Sequence, residues 1–378
     1  MKTLLITPKD ISEVLKRVGI DNMMDRMIAA LTLAFQKVGK DGSYLRSRDG
    51  YIDQDDSFSC VEWMPHLNKT ERSISVKMIA YQPRNIKRFG LPTVIGTTSL
   101  YDFNNGHLVT ICDAVILTAI RTGAASAIAS QILARPDSSI IGLVGAGSQA
   151  VTQLHALSRI FSIREVLVYD IDPKVAHSFP ERTEFLDIPV RVCSLKELEQ
   201  RSDIVCTATS VKNGADPVIS GQYLREHVHI NAVGADQPEK TELPLSLLKK
   251  SFVCPDFIDQ AMTDGECQQL KKEEISPSLF ELLEKPQDYY KWREQRTIFD
   301  STGLALEDQV ALQIMQELVE EEGLGQHLSL EYFPADPHNP YEFMNISEPQ
   351  NLVPLSPLYP KKEFVDFSLI SRSPTSHS

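Results

Sequence analysis

The run Ser139-Ile140-Ile141-Gly142-Leu143-Val144-Gly145-Ala146-Gly147-Ser148-Gln149-Ala150 constrains this chain more than any other stretch. Its first half is almost wholly apolar and predicts a strand buried on both faces, as in a parallel sheet. G-x-G-x-x-A follows at once, and Val151, Leu154, Leu157 and Ile160 then recur at helical spacing. Strand, glycine turn and helix in that order open a doubly wound α/β domain that binds a dinucleotide. Gly145 permits the tight turn, Gly147 lets backbone approach a pyrophosphate, and Ala150 keeps helix and strand close. The N–H groups of Ala146, Gly147, Ser148 and Gln149 lie where a helix start meets phosphate charge. The next predicted strand ends in Asp170, at the spacing of an acid that binds ribose. That carboxylate would repel a 2′-phosphate, which favours NAD over NADP.

The chain has 378 residues, room for two domains of about 100–200 residues each. Its net charge of −13 argues against binding nucleic acid or an anionic membrane surface. No apolar run is expected to reach the ~20 residues of a membrane span. The start, Met1-Lys2-Thr3-Leu4-Leu5-Ile6-Thr7-Pro8, turns polar too early for a secretory signal. Cys60, Cys112, Cys193, Cys206, Cys254 and Cys267 are far apart, with no C-x-x-C pair. No metal site is expected, and reduced thiols point to the cytoplasm.

Residues 10–39 carry helical periodicity. From 44 to 120 short β-like runs alternate with turns such as Asp49-Gly50 and Asn104-Asn105-Gly106. The small residues 122–129 predict a tightly packed helix. From 139 to about 260 strands (165–170, 203–207, 228–233) alternate with helices, and a helix runs from Ala305 to about Glu321. The Pro-rich stretch beyond holds Tyr332, Phe333, Tyr341 and Phe343, and residues 371–378 are expected to be disordered. The fold class is therefore α/β, a Rossmann-type doubly wound parallel sheet plus a second α+β domain.

Ligands of open α/β sheets gather at the carboxyl ends of strands. The tips Thr207-Ala208-Thr209-Ser210 and Ala232-Val233-Gly234-Ala235-Asp236 should therefore reach the cofactor, making Thr207, Thr209, Val233 and Gly234 candidates. Asp236 is an ionisable group on the nicotinamide side, or else a helix cap or solvated loop acid.

The blocks Val76-Lys77, Gly90-Leu91-Pro92-Thr93-Val94-Ile95-Gly96-Thr97, Leu117 to Ser126, Asn231 to Leu243, Asp264-Gly265-Glu266-Cys267-Gln268-Gln269-Leu270 and Phe299 to Asp308 stand in the order of one known family. Over residues 1–325 the sequence resembles the ornithine cyclodeaminase/mu-crystallin family. Within it, the Gly234-Ala235-Asp236 to Lys240-Thr241-Glu242-Leu243 and Gly265 to Leu270 blocks are most similar to the cyclodeaminases of basic amino acids, and Val61 to His66 is most similar to lysine cyclodeaminases. The resemblance implies a homodimer. Its substrate and dimerisation domain would be residues 1–121 with 309–378, around an NAD-binding domain at 122–308. It implies that Lys77, Arg121 and one arginine of Leu45-Arg46-Ser47-Arg48, with Arg48 preferred, hold a substrate carboxylate. It also makes Asp236 the catalytic acid with Lys77 beside it, brings Glu62 near the distal ammonium, and puts Thr93 and Ser301 near the nicotinamide. The implied reaction turns lysine into pipecolate, or ornithine into proline, by hydride removal, cyclisation and hydride return. The rival readings are an imine reductase or an alanine- or opine-type dehydrogenase, and a mu-crystallin-like protein that binds without catalysis.

Overall fold

The computed structural model describes residues 1–38, 40, 43–53 and 59–345. The expected disorder at 371–378 lies outside these residues. Thr3–Leu328 form one compact unit; Met1–Lys2 and the segment from Ser329 form another. In the latter a short 3-10 turn spans Pro340–Asn345, and Phe343 meets Tyr332 edge to face with ring centroids 5.1 Å apart.

Two sheets organise Thr3–Leu328. The first begins with β1 (Thr3–Ile6), β2 (Ser43–Tyr44), β3 (Asp49–Asp53), β4 (Ser59–Asn68), β5 (Ser73–Tyr81), β6 (Val94–Asp102) and β7 (Leu108–Asp113). The second holds β8 (Ile140–Val144), β9 (Glu165–Tyr169), β10 (Val190–Val192), β11 (Ile204–Thr207), β12 (His229–Ala232), β13 (Phe252–Pro255) and β14 (Thr297–Asp300). A last strand, β15 (Gln326–Leu328), returns to pair with β1.

The second sheet runs β10-β9-β8-β11-β12-β14-β13 with every pair parallel. The order in which successive strands are laid down reverses between β8 and β11, the crevice where such sheets bind ligands. Strands β10, β13 and β14 have no counterpart among the strands expected from sequence. Each is only three or four residues long, and unlike the equally short β11 and β12 none is placed by the alternation of strands with helices.

In the first sheet β7, β6, β5 and β4 are antiparallel neighbours, with a period of two along each strand. Glu62, Met64 and His66 of β4 point inward, and Lys77 of β5 lies opposite Met64 on that buried face. The outer face shows Val61, Trp63, Met78 and Ile95, with Val61 and Met78 about two-fifths exposed.

Helices Ile20–Lys37, Val115–Leu133 and Ala305–Glu321 pack against one another in the core beside the first sheet. The helical stretch expected over 10–39 is two helices, Pro8–Val18 and Ile20–Lys37, because Gly19 adopts φ +85° and breaks the ladder. Helix Val115–Leu133 is long enough to cross a membrane, but Thr118, Arg121, Thr122, Ser126, Ser130 and Gln131 interrupt it, so it is not an unbroken apolar run of that length. Instead, 72% of it is buried inside the protein, since small side chains let neighbouring helices approach closely. The expected domain borders at 121/122 and 308/309 both fall inside core helices.

Candidate active site

The glycine turn is built as its spacing predicts. Gly145 closes β8 at φ +88°, and a Cβ there would meet the Ala208 carbonyl oxygen at 2.6 Å. Gly147 precedes helix Ser148–Ile160, no side chain caps that helix start, and a Cβ on Gly147 would meet nothing within 4 Å. Ala146 and Ala150 are buried, Gly147 and Ser148 are exposed, and Gln149 is half-buried. Open space over free amide N–H groups is what a phosphate requires. Asp170 accepts from Ala146 N at 2.7 Å and from Asp172 N at 2.8 Å, so it braces the turn it was expected to serve.

Across the switch point, Glu242 ties the strand tips together. Its buried carboxylate accepts from Thr207 Oγ1 (2.6 Å), Thr209 Oγ1 (2.7 Å), Thr209 N (2.8 Å) and Gly234 N (2.9 Å). Burial pushes this carboxyl above the ordinary range, and the hydroxyl donors pull the other way. Thr207 and Thr209 thus spend their hydroxyls on Glu242, which sequence reasoning missed. Val233 is half-buried at the tip of β12, its N–H donating to Thr207 O. Ser301 follows β14, and its buried Oγ has no hydrogen-bond partner among the described residues. An orphaned hydroxyl at the carboxyl end of β14, on the same sheet edge as the open glycine turn after β8, fits a nicotinamide nucleotide.

The substrate-side residues meet as an ion cluster. Lys77 Nζ lies 2.7 Å from Asp308 Oδ2, and Arg121 lies 3.1 Å from Asp308 Oδ1 and 2.7 Å from Glu307. Gly303, at φ +84°, brings its backbone under Arg121, where a Cβ would stand 2.6 Å from Nη1. Arg48 reaches the same turn from the other side, donating to Thr302 O and to Gly303 O (3.3 Å). Glu62 is 3.4 Å and Asp264 3.5 Å from the Arg48 guanidinium. Gln260 locks the arrangement by accepting from Arg48 N and donating to Thr302 Oγ1 and Gly303 O. Asp256 holds the Gly303 N–H at 2.6 Å.

Burial, with Arg121 and Arg48 nearby, lowers Lys77 to about 8 although Asp308 opposes the shift. Burial lifts Glu307 to about 7; it also raises Asp308, but Arg121 and Lys77 outweigh that and hold Asp308 low. Arg46 is exposed, so Arg48 is the arginine that joins the cluster. Thr93 lies half-buried in the turn before β6, its carbonyl accepting from Gln82 N.

Asp236 borders this cluster: its backbone oxygen is 3.4 Å from Arg48 Nη1, and its side chain is 44% exposed. Lys240 Nζ bonds one carboxylate oxygen at 2.7 Å while lying over the Tyr81 ring. No group of acids, histidines and cysteines able to hold a metal occurs among the described residues.

A parallel sheet with an open glycine turn, in one compact unit with the buried cations Lys77, Arg121 and Arg48, defines a Rossmann-type protein suited to a nicotinamide nucleotide. The model of the ornithine cyclodeaminase/mu-crystallin family matches residues 9–323, and the chain belongs to that family. It is 40% identical to the L-lysine cyclodeaminase of Streptomyces rapamycinicus, over 90% of this chain and 99% of that one. A solved lysine cyclodeaminase, described for recognition of L-lysine, L-ornithine and L-2,4-diaminobutyric acid, is 42% identical at a TM-score of 0.88, covering 90% of this chain and 99% of its own. An archaeal alanine dehydrogenase dimer with bound NAD is 30% identical at a TM-score of 0.78, covering 88% and 100%.

Proposed function

We propose that this protein is an NAD-dependent cyclodeaminase that converts L-lysine to L-pipecolate and ammonia, and L-ornithine to L-proline by the same route. The carrying observation is the linkage of Lys77, Arg121 and Arg48 through Asp308 and Gly303, with Asp236 at its edge. Planar guanidinium forks and a point-charge ammonium suit an α-carboxylate, which they would share with Glu307 and Asp308. The turn Gly145–Ala150 would hold the nicotinamide nucleotide, which would supply a hydride acceptor for Cα and, once reduced, the hydride donor for the ring-closed imine. Asp236 accepts a proton from the side-chain amine, making it a nucleophile, and delivers one to the departing α-nitrogen. Lys240 holds that carboxylate in place. The buried ion pairs keep water from an imine that would otherwise hydrolyse.

NAD is favoured over NADP because Asp170 stands at the second strand tip. Arg182, the cation near the turn, is already engaged by Ala146 O, Val175 O and Ser178 Oγ. Within Thr3–Leu328, residues up to 121 with those from 309 carry the substrate and dimerisation role, and 122–308 carry the NAD role. A second copy covers the apolar outer face of Val61, Trp63, Met78 and Ile95, which sedimentation equilibrium would report as a dimer. Six unpaired cysteines suit a reducing cytoplasm.

The test is incubation with catalytic NAD⁺ and lysine, ornithine or alanine in turn, with products weighed by mass spectrometry. Cyclic imino acid and ammonia should accumulate without NADH. Stoichiometric NADH with alanine, and no cyclic product from either diamino acid, would replace this reading with a dehydrogenase.

A further inference from the structure

At the end of helix Ile258–Asp264 one buried acid has no part in the chemistry so far. Asp264 is 6% exposed and stands 3.5 Å from Arg48 Nε. That gap is too long for a hydrogen bond. The Arg48 Nε is accordingly buried without a hydrogen-bond partner. No donor among the described residues bonds the Asp264 carboxylate. Its companion Glu62, also buried, sits at 3.4 Å from the same guanidinium. Arg48 Nη1 divides a long donation, 3.4 Å to each, between Glu62 Oε2 and Asp236 O, while Nη2 donates to Thr302 O and Gly303 O. One arginine therefore serves two loosely held carboxylates.

Charge counting points the same way. Three cations (Lys77, Arg121, Arg48) touch four carboxylates (Glu307, Asp308, Glu62, Asp264), while Asp236 is balanced by Lys240. Asp256 carries its charge on three donors: Thr302 Oγ1, Gly303 N and Phe257 N. A monoamino acid is neutral overall and adds no cation to these acids; a diamino acid brings one net positive charge that a loosely held carboxylate can take. Burying an uncompensated carboxylate is costly. Burial foremost, with Glu62 and Asp236 adding to it against Arg48, lifts the Asp264 carboxyl to about 6 while no such ligand is present.

We propose that Asp264 is a specificity-determining residue of the site, accepting together with Glu62 the second ammonium of a diamino acid. Asp264 thereby separates lysine and ornithine from substrates that have only an α-amine. The inference rests on the cyclodeaminase reading and deepens it.

The experiment compares L-lysine with L-norleucine, its analogue without the distal nitrogen, by calorimetric binding to the NADH-loaded protein, which cannot take the α-hydride and so binds without turnover. Wild type should prefer lysine. Asp264→Asn should weaken lysine by about tenfold or more, the scale of one hydrogen bond to a charged group, and move norleucine less than threefold. An equal fall for both ligands would mean that Asp264 acts only by holding Arg48, and would overturn the assignment, as would no change for either. Asp264→Ser gives the same reading if the amide does not fold. Failure of the function itself looks different: wild type then shows no preference for lysine and releases no ammonia from it.

Discussion

The turn at Gly145–Ala150 and the ion cluster around Arg121 serve one site by opposite means. The turn is local and made of backbone: one strand, one glycine step and one uncapped helix start. The cluster is non-local and made of side chains, drawing Arg48, Glu62, Lys77, Arg121, Asp264 and Glu307–Asp308 from segments up to 260 positions apart. A phosphate needs oriented N–H groups, which a few adjacent residues supply. A zwitterionic amino acid needs opposed charges held dry, which only several packed elements can supply.

Four variants would break or sharpen this contrast. Asp236→Asn has the largest expected effect: turnover should fall by about 10²–10⁴ while NAD binding, the work of the turn, is untouched. Substantial retained turnover in a steady-state ammonia assay would remove Asp236 from proton transfer.

Asp308→Asn strips the shared counter-charge from Lys77 and Arg121. Breaking a buried ion pair costs about 3–5 kcal/mol, to be read from urea unfolding of the cofactor-free protein. A loss under about 1 kcal/mol would show that these ions are effectively solvated.

The third variant concerns the parallel sheet. His229 is buried, with its ring nitrogens on Thr297 Oγ1 and Asn231 Oδ1, and burial lowers it to about 3 from 6.5. The unfolded chain takes up this proton first as pH falls, so stability present above pH 6.5 is lost toward pH 3. By pH 5 the loss is about 2 kcal/mol. His229→Gln should flatten that acid limb in chemical denaturation, and an unchanged slope would assign it to other groups.

The smallest effect is expected for Gly147→Val. Its side chain would enter the open space over the helix start, weakening NAD by about tenfold, or 1.4 kcal/mol, without altering cofactor-free stability. Unchanged NAD affinity by fluorescence titration would mean that the phosphate lies elsewhere.

The parts of the fold that were legible share a property: their signal fits inside one window of sequence. Strand β8, the glycine turn and helix Ala305–Glu321 all show it. Strand β14 does not, since Thr297-Ile298-Phe299-Asp300 is not placed by the alternation of strands with helices and is recognisable only once it pairs with β12 and β13. In the site, Lys77 stood out as a cation inside an apolar strand, whereas its partner Asp308 looked like an ordinary acid in the first turn of a helix. Glu242 likewise shows nothing of the four donors it gathers.

By itself the sequence determined the nucleotide turn, the α/β class and the family, because these depend on backbone conformation and short-range order. Which arginine of the Arg46–Arg48 pair enters the cluster, which acids share the cations, and how many charges remain uncancelled were decided by tertiary packing. Burial turns an ordinary surface charge into one that must find a partner, and partners are chosen by distance in space, to which neighbouring residues along the chain give no guide.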